Sequence, residues 1–150
     1  MKRHSALINL SREHHAALIL AQILKKDGPN FKDLPTDDEG KRNYTISFYK
    51  TDLAKHFQFE EEILFPFVNK QSDLLKEQTV QLISEHKKLK RLIQKLSTPE
   101  DVETMLDRIG MLLEKHIRFE ERVYFQKVQE IFPDHELDKL LSRFSDVDGS

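Results

Sequence analysis

One stretch of this sequence occurs twice, and that repetition constrains the fold more than any other feature. The two copies read HFQFEEEILFPFV from His56 and HIRFEERVYFQKV from His116, and they share His, Phe, Glu-Glu, Phe and Val without a gap. A Glu-His pair precedes each copy, at Glu13-His14 and at Glu85-His86. Each half therefore reads Glu-His and then His-x-x-x-Glu, which indicates one two-helix unit used twice.

Apolar residues recur at helical spacing on both sides of each motif. Only four Gly and five Pro are present, and short alternating runs of β-branched residues are missing, so strands are not expected. A polar connection from Asp27 to about Asn43 is long for a helical bundle. The spacing predicts four long helices, at about Ser5–Lys26, about Tyr44–Lys70, from a cap at Ser72-Asp73 to about Leu96, and about Pro99–Ile131.

Pairing two helical hairpins gives an all-α fold, an up-down-up-down four-helix bundle with a short C-terminal fifth helix. The fifth helix is predicted from about Asp134 to Phe144, outside the bundle, with a frayed tail at 145–150. A chain of 150 residues suits one domain. We therefore expect a single domain over 1–150, with the bundle at about 5–132.

The repeat places polar groups on the inner faces of the helices. Residues four apart share a helix face, so His56 and Glu60 point the same way, as do His116 and Glu120. His14 and His86 also lie on the apolar stripes of their helices, so the bundle core would hold four His and two Glu. Buried carboxylates without partners cost several kcal/mol. A pair of cations bound by imidazole and carboxylate would remove that cost, with iron or manganese suited and zinc possible.

Composition limits the metal ligands and the classes of partner that this chain could use. The chain has no Cys, so a metal must take nitrogen and oxygen ligands. The net charge of -2, with both signs interspersed, gives no case for nucleic acid. No apolar run approaches the roughly 20 residues that span a membrane. Polar residues from Asn9 to Glu13 interrupt any signal-peptide pattern, so a cytoplasmic location is expected.

At these motifs the sequence resembles the hemerythrin-like family, also called the HHE cation-binding domain, over about Ala6 to Phe132. The resemblance implies two iron ions joined by an oxo or hydroxo bridge, with manganese or zinc as substitutes. By the family's pattern, Glu60 and Glu120 would bridge the ions. The metal ligands that the resemblance implies are His14, His56, Glu60, His86, His116 and Glu120.

Two positions depart from the oxygen-carrying members of that family. Those proteins have a further His one turn after the third-helix His, where this chain has Lys90. Their fourth-helix carboxylate is an Asp five residues after the His, whereas Glu120 stands four residues after His116 and Glu121 takes the fifth place. A site with six protein ligands instead of seven would leave more open positions, which puts reversible oxygen carriage in doubt.

Three functions remain open at this point. The chain is a di-iron protein that binds or senses O2, NO or iron, and signalling would then need a partner protein. Alternatively, it is a di-iron oxidoreductase that reduces peroxide or O2 or repairs iron–sulfur clusters, with electrons from an external donor because no redox Cys is present. The third possibility is a metal-free helical interaction module whose inward His and Glu satisfy one another.

Several neighbouring residues have competing interpretations. His14 is preferred to His15 as the ligand because it shares the stripe of Leu10 and Ala17. Glu61, Glu62 and Glu121 could support the ligand histidines, but a solvated face is the favoured interpretation. Lys90 is expected to reach solvent. For Tyr44, Tyr49 and Tyr124 the sequence leaves open whether they pack or donate hydrogen bonds to a bound species.

Overall fold

The computed structural model describes residues 2–98 and 100–148, with side chains through Phe144. Within those residues the chain is helical and contains no strand, in agreement with the all-α prediction. Five helices follow one another: α1 at Ser5–Leu24, α2 over 38–71, α3 at Lys76–Gln94, α4 over 102–131 and α5 at Asp134–Asp148. A 3-10 turn at Lys95–Ser97 extends α3.

Two of the helices change from α to π geometry at equivalent places in the repeat. In α2, π turns at Tyr49–Leu53 and Glu60–Leu64 interrupt α segments at Asp38–Phe48, Ala54–Phe59 and Phe65–Gln71. In α4, a π turn at Glu120–Tyr124 separates Val102–Phe119 from Phe125–Ile131. Two of these turns therefore begin at Glu60 and Glu120. Single π turns within α-helices are frequent at functional sites.

The observed helix boundaries correct some predictions. Helix α2 begins at Asp38, inside the predicted polar connection, because Asp38 and Glu39 favour a first helical turn. Helix α4 begins at Val102 behind Asp101, while the predicted start at Pro99 lies outside the described residues. Helix α5 continues to Asp148, four residues beyond its predicted end at Phe144. Gly149 and Ser150 lie outside the described residues.

The apolar core forms two clusters. One joins the first turns of α1 and α3 to the last turns of α2 and α4 and to α5, and it includes Leu7, Leu64, Tyr124 and Phe144. The other joins the later turns of α1 and α3 to the middle of α2 and the first half of α4, and it includes Leu24 and Leu113. The repeated His and Glu residues lie close to the level at which the two clusters meet.

Among the described residues, none of the helices is both long and apolar enough to cross a membrane.

Candidate metal centre

All six residues that the sequence analysis proposed as ligands come together between the two apolar clusters. Each is 3 % exposed or less. Their ligand atoms form two groups that share Glu60, and in each group the atoms lie within 4.8 Å of one another. The first group is His14, His56, Glu60 and Glu120, and the second is Glu60, His86 and His116.

At the centre, Nε2 of His14 and Nε2 of His56 share a hydrogen bond of 3.0 Å, but the carboxylate oxygens approach the histidine nitrogens without forming hydrogen bonds. Nε2 of His14 lies 2.9 Å from Oε1 of Glu120, and Nε2 of His86 lies 3.2 Å from Oε1 of Glu60. These distances would suit hydrogen bonds, but the angles do not, and all four oxygens of the two carboxylates are buried without a partner. Nε2 of His116 is also buried without a partner. Buried polar atoms are seldom left unsatisfied, so this convergence of lone pairs fits a cation.

The other ring nitrogen of each histidine contacts a carboxylate outside the centre. Nδ1 of His14 lies 2.8 Å from Glu121, and Nδ1 of His86 lies 2.9 Å from Glu61. Because an ionised carboxylate only accepts hydrogen bonds, Nδ1 carries a proton and donates it, which leaves Nε2 facing the centre as the nitrogen that could bind a cation. Histidines that bind metals are commonly oriented in this way.

The same arrangement holds for the two remaining histidines. Nδ1 of His56 lies 3.1 Å from Glu13, and Nδ1 of His116 lies 2.7 Å from Glu85. Each Glu-His motif therefore supplies two parts of the site. Its His faces the centre, and its Glu orients the His of the following helix.

These four supporting glutamates show what sequence reasoning missed. The favoured interpretation of Glu61 and Glu121 as a solvated face was wrong, since each binds a histidine at the centre. Glu62 is exposed and accepts a hydrogen bond from Gln58, as that interpretation expected. Glu13 and Glu85 were noted only as members of the repeat. Their recurrence before His14 and His86 was the available signal, but the partner of each lies on another helix.

Burial and charge set the protonation of the centre. Burial raises the pKa of the Glu60 carboxyl well above its usual value, and the nearby Glu120 carboxyl raises it further. Burial also opposes ionisation of Glu120, but its contacts with Glu60 and His14 bring its pKa below the usual value. Burial lowers the pKa of His14, but Glu120 and Glu121 outweigh that effect and raise it to about 9, so a cation bound at Nε2 would displace a proton. Burial lowers the pKa of His86, which favours the neutral ring that binds metal.

The two halves of the centre differ in the residues packed beside it. Alignment of the repeats places Thr79 opposite Leu7 and Tyr124 opposite Leu64. Thr79 and Tyr124 are fully buried and share a hydrogen bond of 3.0 Å, where the other half has two apolar side chains. Tyr124 therefore bonds to Thr79, whereas Tyr44 and Tyr49 pack by their rings on Phe48 and Phe57.

A small cavity of about 60 Å³ lies against His14, His56 and His116. Apolar side chains form much of its wall, among them Ala17 and Leu53. In the repeat, Ala17 aligns with Leu89, so the first half has a smaller side chain beside its histidine. Lys90, which replaces a family ligand, is exposed as predicted, and His15 is exposed whereas His14 is buried.

The ligand atoms of the centre determine which kind of ion it could bind. Four imidazoles and two carboxylates, arranged as two groups with a shared Glu60, suit divalent or trivalent cations that take nitrogen and oxygen ligands. A helical protein with such buried groups belongs to the class of cation-binding helical domains.

The family follows from comparison with known proteins. A family model described as Hemerythrin HHE cation binding domain matches residues 5–128. The chain therefore belongs to the hemerythrin HHE cation-binding family. Searches of curated proteins and of solved structures found no match.

Proposed function

We propose that this chain is a non-haem di-iron protein whose centre binds O2 or NO and acts as a sensor. The observation that carries the proposal is the pair of ligand groups that share Glu60, with buried carboxylate oxygens that lack hydrogen-bond partners. An interaction module without metal would have to leave these atoms unsatisfied, which makes it the least favoured of the three functions.

The residues divide into two ligand sets. One ion would be held by His14, His56, Glu60 and Glu120, and the other by His86, His116 and Glu60. Glu120 would complete the second set as a further bridge. Iron in such sites supplies reversible binding of small ligands and one-electron redox chemistry, and manganese or zinc could occupy the same donors.

The surroundings of the first ligand set support a small ligand. The cavity beside His14 and His56 has room for only a few non-hydrogen atoms. Its walls at Ala17, Leu53 and Leu113 are apolar and would exclude ordered water. O2 and NO are apolar and small enough for that space, whereas a larger substrate is not.

We also propose an up-down-up-down topology for the bundle and a cytoplasmic location for the protein. The cluster that contains Leu7 joins the starts of α1 and α3 to the ends of α2 and α4, which supports up-down-up-down alternation. We place the protein in the cytoplasm as one domain, and fractionation of cells would test the location.

A di-iron oxidoreductase that reduces peroxide or O2 is the second candidate. It is favoured by the second ligand set, which lacks a further histidine because that position is Lys90. The open positions would admit a substrate oxygen atom. Electrons for turnover would have to come from an external donor.

The test begins with metal content. Protein purified without added metal or a nickel column should contain about two iron ions per chain, and His116→Gln should lose iron while the exposed His135→Gln control keeps it. Reversible spectral change with O2 or NO, without steady-state peroxide consumption, is expected for a sensor. Sustained consumption with a reductant would favour the oxidoreductase, and a stable chain devoid of metal would refute both.

A further inference from the structure

One face of α3 concentrates positive charge. Between Glu85 and Glu100 the sequence has no acidic residue, and five basic side chains there are exposed. None of them lies within ion-pair distance of a described acidic residue, although the chain as a whole carries a net charge of -2. We call this set the basic face: Lys87, Lys88, Lys90, Arg91 and Lys95.

The basic face has no equivalent in the first half of the repeat. The alignment of Glu85-His86 with Glu13-His14 sets Lys90 against Leu18 and Arg91 against Ile19. Both of these α1 residues are apolar and half-buried. The charge is therefore not needed to build the two-helix unit, which folds in the first half without it.

The basic face borders an open cavity that reaches His86 of the centre. An open cavity of about 470 Å³ is lined by Lys87 and Lys90 at its rim and by His86 and Phe57. The Phe57 ring stacks on the His86 ring with centroids 3.9 Å apart. Glu61, which is 37 % exposed, lies 2.9 Å from Nδ1 of the same histidine. A molecule seated here would reach His86 through one layer of side chains.

Two acidic residues also line this cavity, and their charges are partly compensated. The hydrogen bond from His86 lowers the pKa of Glu61, and the positive charges of Lys87 and Lys90 lower it further. Glu62 accepts a hydrogen bond from Gln58. The surrounding surface remains positive because Arg91, together with the lysines of the basic face, outnumbers these two carboxylates.

We propose that the basic face docks an acidic electron-donor protein, which passes electrons to the centre through His86. The proposal rests on the proposed di-iron function. Complementary charge steers such short-lived complexes and speeds their association. In each transfer the reduced cofactor of the donor loses one electron and one ferric ion becomes ferrous. A nucleic acid or an anionic membrane would also meet positive charge here, but neither would make use of the adjacent route to His86.

The first experiment measures docking without any redox chemistry. The zinc-loaded protein is titrated with an oxidised flavodoxin of acidic surface as the probe, and amide chemical shifts are followed at 20 mM and 200 mM salt. Shifts should concentrate on α3 and around Phe57 and weaken about tenfold or more at the higher salt. Shifts spread evenly over the molecule, or confined to another helix, would overturn the proposal.

A matched pair of variants separates the basic face from net charge. Lys87→Gln/Lys90→Gln/Arg91→Gln should weaken binding about tenfold or more, since all three side chains are exposed and glutamine is a good helix former. The control replaces three exposed basic residues off α3, through Lys32→Gln/Lys70→Gln/Arg122→Gln, and should keep the affinity of the parent. Equal weakening in both variants would reduce the effect to net charge and refute the docking site.

The second experiment adds electron transfer to the iron-loaded protein. Reduced flavodoxin should reduce the centre about tenfold more slowly in the α3 variant than in the control, while dithionite, a small reductant, should reduce all three proteins alike. An equal rate with flavodoxin in both variants would refute the proposal. A chain that binds no iron but still shows the mapped docking would refute the proposed function and leave the docking surface standing. Stronger binding of a DNA oligonucleotide or of anionic vesicles than of flavodoxin would assign the face to that partner and overturn ours.

Discussion

Replacement of Glu60 by glutamine should stabilise the protein without metal and abolish its stabilisation by metal. Glu60 and Glu120 are both 0 % exposed, and neither accepts a hydrogen bond. Glu60→Gln removes a carboxyl group that must take up a proton to be buried beside Glu120, and its new amide can donate to Glu120. Relief of an uncompensated buried group is worth about 1–3 kcal/mol, so the melting temperature of the metal-free protein should rise by about 2–10 °C.

With metal bound, the parent chain should be more stable than the Glu60→Gln variant. At a free metal concentration of about a thousand times Kd, binding stabilises the parent chain by about 4 kcal/mol. Glu60→Gln should lose nearly all of that gain, because an amide cannot bridge two cations and Glu60 belongs to both ligand groups. Thermal unfolding followed by circular dichroism, with chelator and then with anaerobic ferrous iron, measures both effects.

Glu62→Gln is the matched control for this experiment. Glu62 is exposed and accepts a hydrogen bond from Gln58, so its replacement should leave the melting temperature unchanged both with chelator and with ferrous iron. If Glu60→Gln lowered the stability of the metal-free protein by 1 kcal/mol or more, Glu60 would be an ordinary structural residue. Such a result would refute a centre built for cations.

Three further replacements test the surroundings of the centre. Glu85→Gln removes the charge that lies 2.7 Å from Nδ1 of His116 and should weaken metal binding about 10–100-fold in a chelator competition, whereas an unchanged affinity would exclude an orienting role. Thr79→Val should lower the free energy of unfolding in urea by about 1–3 kcal/mol, because it leaves the buried Tyr124 hydroxyl unpaired. Addition of Tyr124→Phe should restore most of that stability, and additive losses in the double variant would contradict this expectation. Ala17→Val should narrow the cavity beside the first ligand set and weaken NO binding about tenfold with iron content unchanged, and undiminished NO affinity would place the ligand elsewhere.

Local sequence pattern was enough to find the residues of the centre. A helix repeats its direction about every four residues, so His56 with Glu60 and His116 with Glu120 could be assigned to inner faces without knowledge of the tertiary structure. Burial of these residues agrees with that assignment. Their role as metal ligands stays a prediction that metal analysis must test. The match of the family model to residues 5–128 confirms the resemblance.

Boundaries were harder to predict because weak local preferences compete there. Asp38 to Asn43 contains Gly40 and many polar residues, which are typical of a connection, yet these residues form the first turns of α2. The π turn at Glu60–Leu64 also has no clear sequence signal. Both depend on how the whole helix is held by its neighbours, which a local window does not contain.

The sequence by itself determined that the chain is helical, that one two-helix unit recurs, and which histidines and glutamates face inward, because each of these follows from spacing within a few residues. Only the tertiary structure decided that Glu13 orients His56 and that Glu121 orients His14. Those pairs join different helices, so they depend on the rotation and axial position of each helix against the others. Core packing along the full length of the bundle determines this rotation and axial position, so neither can be predicted from a short segment of sequence.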